Sequence, residues 1–130
     1  MPIHVMWDNP EKTIVRLDYE EPVSNWKVYD DAVDEAFTLA RSVNDMVYVI
    51  HNAGKVNMPK GSAFPHIQRG VRLTPPNVVY SVPIVENMLA RTILLIILKP
   101  LLGNKIRLAA SLKDAREMVN RDMAMAQKAA

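Results

Sequence analysis

Apolar and polar positions alternate twice near the start of the chain. Ile3, Val5 and Trp7 fall on one side of the first run and Val15, Leu17 and Tyr19 on one side of the second, with Asp8-Asn9-Pro10-Glu11-Lys12 between them. Period-two alternation on either side of a turn-rich break predicts a β-hairpin. The period then lengthens. After Pro22 and Ser24 or Asn25, the residues Trp26, Tyr29, Val33, Ala36, Phe37 and Ala40 recur at helical spacing. Asp30, Asp31, Asp34 and Glu35 belong towards the start or the outer face of that helix, where its dipole and water favour them.

The apolar run Met46–Ile50 is uninterrupted and ends in His51, Asn52 and Gly54, which predicts a central strand covered on both faces. A loop follows to Gly61, carrying Lys55, Asn57, Pro59 and Lys60. Ser62 can then cap a helix whose inner face is Phe64, Ile67 and Val71. Pro75-Pro76 stops that helix, and Asn77 to Pro83 reads as another strand. A longer helix spans 87–102, Lys105–Ala109 reads as a last short strand, and Ser111-Leu-Lys-Asp114 has the capping-box spacing of a final helix with Leu112, Ala115, Met118 and Val119 inward. The tail RDMAMAQKAA has little to bury and is expected to fray or pack loosely. The predicted order is β-β-α-β-α-β-α-β-α, an α/β domain spanning 1–130 whose mainly parallel sheet takes an antiparallel edge from the hairpin. In such sheets, ligands and partners meet the carboxyl ends of the strands, so the loop 52–62 is the first expected site.

Composition narrows the function classes. The 130 residues, 49% hydrophobic and 23% charged, suit one domain with a real core. A formal charge of +2 and few aromatics argue against a nucleic-acid surface. The absence of cysteine removes disulfides, thiol nucleophiles and thiolate metal sites, and His4, His51 and His66 are scattered, so neither metal nor cofactor is expected. MPIHVMWDNPEK lacks the pattern of a secretory signal, and a cytoplasmic protein is expected.

The hairpin, the TIVRLDYEEPVSNWKVYDDAVDEAF strand-to-helix passage and the repeated strand, loop and helix up to a capped terminal helix resemble the STAS and SpoIIAA-like domains, the group of the bacterial anti-sigma factor antagonists. The resemblance covers Ile3 to Arg121 and rests on element order. It implies a four- or five-stranded sheet flanked by helices and a non-enzymatic role in binding a protein partner, switched in some members by phosphorylation of a serine near the second helix. Here Asn52 and Lys60-Gly61-Ser62 stand where those members carry acidic residues, so only Ser62 can play the acceptor. A phosphate there would be favoured by free helix N–H groups and Lys60; the plain alternative is that the Ser62 hydroxyl simply caps the helix.

Two further likenesses fail. VIHNAG is similar to a step of short-chain dehydrogenases, but no glycine-rich dinucleotide turn precedes it and no Tyr-x-x-x-Lys follows; the glycines and lysines of 54–62 lack the order of a phosphate loop. His51 has no evident Ser or Asp partner and reads as a polar strand terminus. His66, Arg69 and Arg72 form a basic stripe that is either a solvated face or a surface steering an acidic partner.

The stretch NMLARTILLIILKPLLG is apolar on every side from Ile93 to Leu98. About fifteen residues at 1.5 Å each span roughly 22 Å, short of a bilayer core of roughly 30 Å, so it is not expected to cross a membrane. One face can pack on the sheet. The other, including Leu94, Leu95, Ile97 and Leu98, needs a cover, which a homodimer contact, a peripheral membrane or lipid contact, or an intramolecular one can supply.

Two functions are therefore expected. The first is a regulatory interaction domain, dimeric through helix 87–102, that binds a protein partner through Asn52, Lys55, Lys60, Ser62, His66 and Arg69. The second is a carrier or sensor of a small apolar or lipid-like ligand, at the membrane surface or away from it, with eight Met suited to an adaptable pocket. An enzyme is not expected, because Asp18, Glu20 and Glu21 cluster without a partnered base.

Overall fold

A computed structural model describes residues 2–54, 59 and 61–129, without the side chains of residues 97, 98, 101 and 102. The order is β1 (Ile3–Trp7), β2 (Ile14–Tyr19), α1 (Trp26–Arg41), β3 (Val47–Asn52), α2 (Phe64–Arg72), β4 (Val78–Pro83), α3 (Met88–Leu102), a 3₁₀ turn (Gly103–Lys105) and α4 (Leu112–Ala129). The strands lie side by side as β1-β2-β3-β4, with β1 antiparallel to β2 and the other pairs parallel. This is the mixed α/β sheet with a hairpin edge that the hydrophobic periods predict.

Local chemistry sets the entries to the elements. Asn9 closes the hairpin, its Oδ1 accepting from the backbone N–H groups of Thr13 (3.0 Å) and Ile14 (3.2 Å). Cross-strand partners Ile3 and Tyr19, Val5 and Leu17, and Trp7 and Val15 then share one face. Asn25 caps α1, its side chain accepting from Val28 N–H at 3.1 Å. Ser111 does the same for α4, accepting from Asp114 N–H at 3.1 Å.

The sheet separates two apolar layers. On one side Val15, Leu17, Tyr19, Val47, Val49 and Val78 pack against Val33, Ala36, Phe37 and Ala40 of α1. On the other, Ile14, Tyr48, Ile50, Tyr80, Val82 and Ile84 pack against Ala115 and Val119 of α4. Val47 to Ile50 are almost wholly inaccessible, as a strand with helices on both faces must be, whereas Met46 lies outside the strand and is exposed.

Three expectations need correction. Ser62 does not cap α2; the helix starts one residue later with Ala63 at the N-cap and Pro65 in its first turn, where a missing N–H costs nothing. Lys105–Ala109 is not a fifth strand but touches β4 through two isolated parallel bridges, Ser81 to Ile106 and Ile84 to Ala109. Because this segment returns to the free edge of β4, α3 is left outside the sheet and packs chiefly on the 3₁₀ turn, instead of laying one face on the strands. α4 runs on through the tail to Ala129, with residues 124–129 exposed. Among the described residues, no helix is long and apolar enough to cross a membrane.

Candidate functional site

α2 sits unlike the other helices. None of its residues, all of them described, is buried. It is held to α1 by polar contacts: His66 Nδ1 lies 2.9 Å from Asp30 Oδ2, and Arg69 Nη2 donates to Asp34 Oδ2 at 2.8 Å. The His66 ring also stacks on Trp26, with centroids 4.7 Å apart and planes within 10°. His66 and Arg69 of the basic stripe therefore face Asp30 and Asp34 of α1. Arg69 Nη1 is buried without a hydrogen bond, 3.9 Å from Asp30 Oδ1.

Held in this way, α2 stands off the sheet and encloses a cavity of about 500 Å³. Ile67 and Val71, the inner face read from the helical period, line it instead of packing on strands. Its other walls are Trp26, Tyr29 and Val33 of α1, Ser81 and Pro83 of β4, Leu94 of α3, and Ile106 and Leu108 beyond it. Tyr19, His51 and Pro83 come from the carboxyl ends of three adjacent parallel strands, the end at which open α/β sheets place ligands.

The polar groups are few and set deep. Tyr19 Oη and His51 Nδ1 are 2.8 Å apart. Burial holds the Tyr19 hydroxyl well above the usual tyrosine range, so it stays protonated, and burial pushes the His51 imidazole down to about 4. A protonated phenol can donate to a neutral imidazole or accept from it, so the direction of this bond follows the His51 tautomer. Among the described residues His51 Nε2 has no partner, and neither has the hydroxyl of Tyr29, which burial and then Asp30 push up to about 12. The lining is thus mainly apolar; among the described residues the Ser81 hydroxyl likewise has no partner, and Lys105 adds a cation whose Nζ donates to the Val78 carbonyl at 3.4 Å. A histidine this weakly basic at neutral pH is suited to donating a hydrogen bond, not to removing a proton.

The residues singled out in the sequence do not converge. Asn52 turns away from the cavity, its amide donating to Asp18 Oδ1 at 2.9 Å. Ser62 is exposed. His66 and Arg69 are engaged by α1 as described, and Arg72 is exposed. Lys55 and Lys60 lie outside the described residues. On α3, Leu94 lines the cavity and Leu95 is 46% exposed, while the side chains of Ile97 and Leu98 lie outside those described. The Tyr19, Tyr29 and His51 grouping was missed. Its only trace in the sequence is that Tyr19 and His51 close two strands on the inward phase of their alternation. Among the described residues, no cluster of three or more His, Asp or Glu could hold a metal ion. No family model, curated protein or solved structure matches the chain.

Proposed function

We propose that the chain binds a small, largely apolar molecule carrying a hydrogen-bond acceptor, in the cavity between α1, α2 and the carboxyl ends of β2 to β4. The observation that carries this reading is a space of about 500 Å³ on whose lining, among the described residues, His51 Nε2 and the Tyr29 hydroxyl have no hydrogen-bond partner. That volume lies within the range of small-molecule sites, which are mostly apolar with a few placed polar groups. Binding would order the apolar wall and satisfy donors that the protein itself leaves open. The role is one of carriage or sensing rather than catalysis, because a neutral His51 paired only to a phenol supports recognition more than proton transfer.

Trp26 lines this cavity, and Trp7 is the only other tryptophan. In a Trp7→Phe variant, titration with the neutral probe N-phenylnaphthylamine should change Trp26 emission saturably at one probe per chain. Long-chain alcohols should displace the probe. Val71→Phe, which adds bulk to the cavity wall, should abolish binding with the circular dichroism spectrum retained. Probe binding that never saturates, or that survives Val71→Phe unchanged, would refute the reading.

A second reading is supported by the element order: a STAS-like or SpoIIAA-like interaction module that docks a protein through Ser62 and α2 and pairs with a second copy through α3. It predicts a stoichiometric protein partner that cross-links to α2 in the host and is lost on Arg72→Glu. If Arg72→Glu leaves every α2 cross-link in place, this reading fails.

A further inference from the structure

Between Asn87 and Lys113 the chain carries five cations, Arg91, Lys99, Lys105, Arg107 and Lys113, and no acidic residue. The whole chain has sixteen Lys and Arg against fourteen Asp and Glu, so the stretch holds +5 and the remaining residues −3. The same stretch holds α3, on which Met88 is 72%, Leu89 68% and Ile96 71% exposed, with Ile93 and Leu95 each 46% exposed. At 3.6 residues per turn these five fall within about 160° of the helix circumference and form one apolar stripe along it. Arg91 is turned inward, donating to the carbonyls of Val85 and Glu86, so it does not interrupt the stripe.

A second cavity, of about 320 Å³, runs beside this stripe. Leu94, Leu95 and Met118 supply its apolar wall, and Lys99, Arg107 and Arg121 converge on it. Arg107 lies over the Tyr80 ring with its guanidinium carbon 4.9 Å from the centroid. Arg121 is 3.7 Å from Asp122, whose other oxygen accepts from Tyr80 O–H at 2.6 Å. Lys99 is exposed at the last turn of α3.

We propose that α3 and the groove beside it form a docking face for an anionic lipid bilayer. The exposed Met, Leu and Ile side chains enter the boundary between headgroups and acyl chains, and Lys99, Arg107 and Arg121 meet the lipid phosphates. An amphipathic helix that lies in the membrane plane needs both parts, an apolar stripe and flanking cations. The charge partition orients the molecule, because the −3 remainder is repelled by the surface that attracts the +5 stretch. It also decides against a second copy as the cover: a two-fold contact would set each stretch of five cations against its own duplicate, whereas a phosphate surface neutralises them. The proposal does not depend on what the cavity under α2 holds.

The test is co-sedimentation of the full chain with vesicles of phosphatidylcholine alone and of phosphatidylcholine mixed with phosphatidylglycerol. Binding is expected to the mixed vesicles, to be weak to the neutral ones, and to fall as salt is raised. Lys99→Gln and Arg121→Gln should each weaken partitioning about fivefold. Ile96→Glu, at an exposed position, should abolish it while leaving the fold intact, and Val71→Phe should leave it unchanged, which separates this face from the cavity under α2. Equal binding to both vesicle types, or to neither, would overturn the proposal. So would a dimer in analytical ultracentrifugation that Ile96→Glu splits into monomers, because a second copy would then own the stripe.

Discussion

The Tyr19 hydroxyl and His51 Nδ1 share a hydrogen bond of 2.8 Å, joining the last residue of β2 to the penultimate residue of β3 at the floor of the cavity. Burial makes His51 costly to protonate in the folded state. Its folded value of about 4 lies below the ordinary 6.5, so an unfolded chain binds the proton first as pH falls. His51 therefore contributes fully to stability above 6.5, and the contribution is lost as pH falls from 6.5 towards 4, amounting to roughly 3 kcal/mol over that window. Urea midpoints measured at about pH 7 and about pH 5 should show the fall, and His51→Gln should flatten it.

At lower pH a different pair governs stability. Asp8, with its side chain only 4% exposed, accepts from Arg116 of α4 at 2.7 and 3.0 Å and also pairs with Arg16 of β2. The Arg116 hydrogen bond is the leading cause that holds the Asp8 carboxyl below its ordinary 3.8, with Arg16 acting in the same direction against burial. A depressed carboxylate stabilises above its unfolded value, and this part is lost as pH falls through the folded value below 3.8. Asp8→Ala should cost about 2 kcal/mol near neutral pH, leaving two arginines beside a vacated carboxylate site. Thermal melts of Asp8→Ala, Arg116→Ala and the double variant should show strong coupling between the two sites.

α2 is tied to the body of the domain by His66–Asp30 and Arg69–Asp34 and not by buried apolar surface. Partly exposed pairs of this kind contribute about 1 kcal/mol or less each. His66→Ala should consequently raise amide hydrogen exchange throughout Phe64–Arg72 several-fold while leaving Val47–Ile50 protected. Equal acceleration in both segments would mean that α2 unfolds only with the core.

Gly54 adopts φ +42, and a Cβ there would come within 3.1 Å of Glu86 Oε1. The steric part is cheap, since a carboxylate at the end of a flexible side chain can move. The backbone part is not, because a left-handed conformation costs an L-residue about 1 kcal/mol or slightly more. Gly54→Ala should lower stability by that amount, and adding Glu86→Ala should recover little of it in chemical denaturation.

The strands and helices were legible where one face of an element decides its burial. Period-two alternation predicted β1 and β2 with the faces they have, and the uninterrupted Met46–Ile50 run marked the strand buried on both sides, although Met46 itself lies outside it. The start of α2 was misread because Ser62 is a good capping residue by type, but Pro65 favours a start one residue further on. Lys105–Ala109 has the composition of a strand, yet its pairing with β4 depends on where the chain returns after α3, and local pattern carries no information about that.

Sequence by itself determined the element order up to α3, the hairpin edge, the inward faces of α1 and α4 and the surplus of apolar side chains on α3, because each depends on neighbours within a few residues. Tertiary structure alone decided that α2 would stand off the sheet, since its ion pairs join positions 35 and 36 residues apart and compete with burial of Ile67 and Val71. It alone brought Tyr19 to His51, 32 residues away, and so created a polar floor that neither residue announces. Burial and proximity set the chemistry of both groups, and both arise only when distant segments pack.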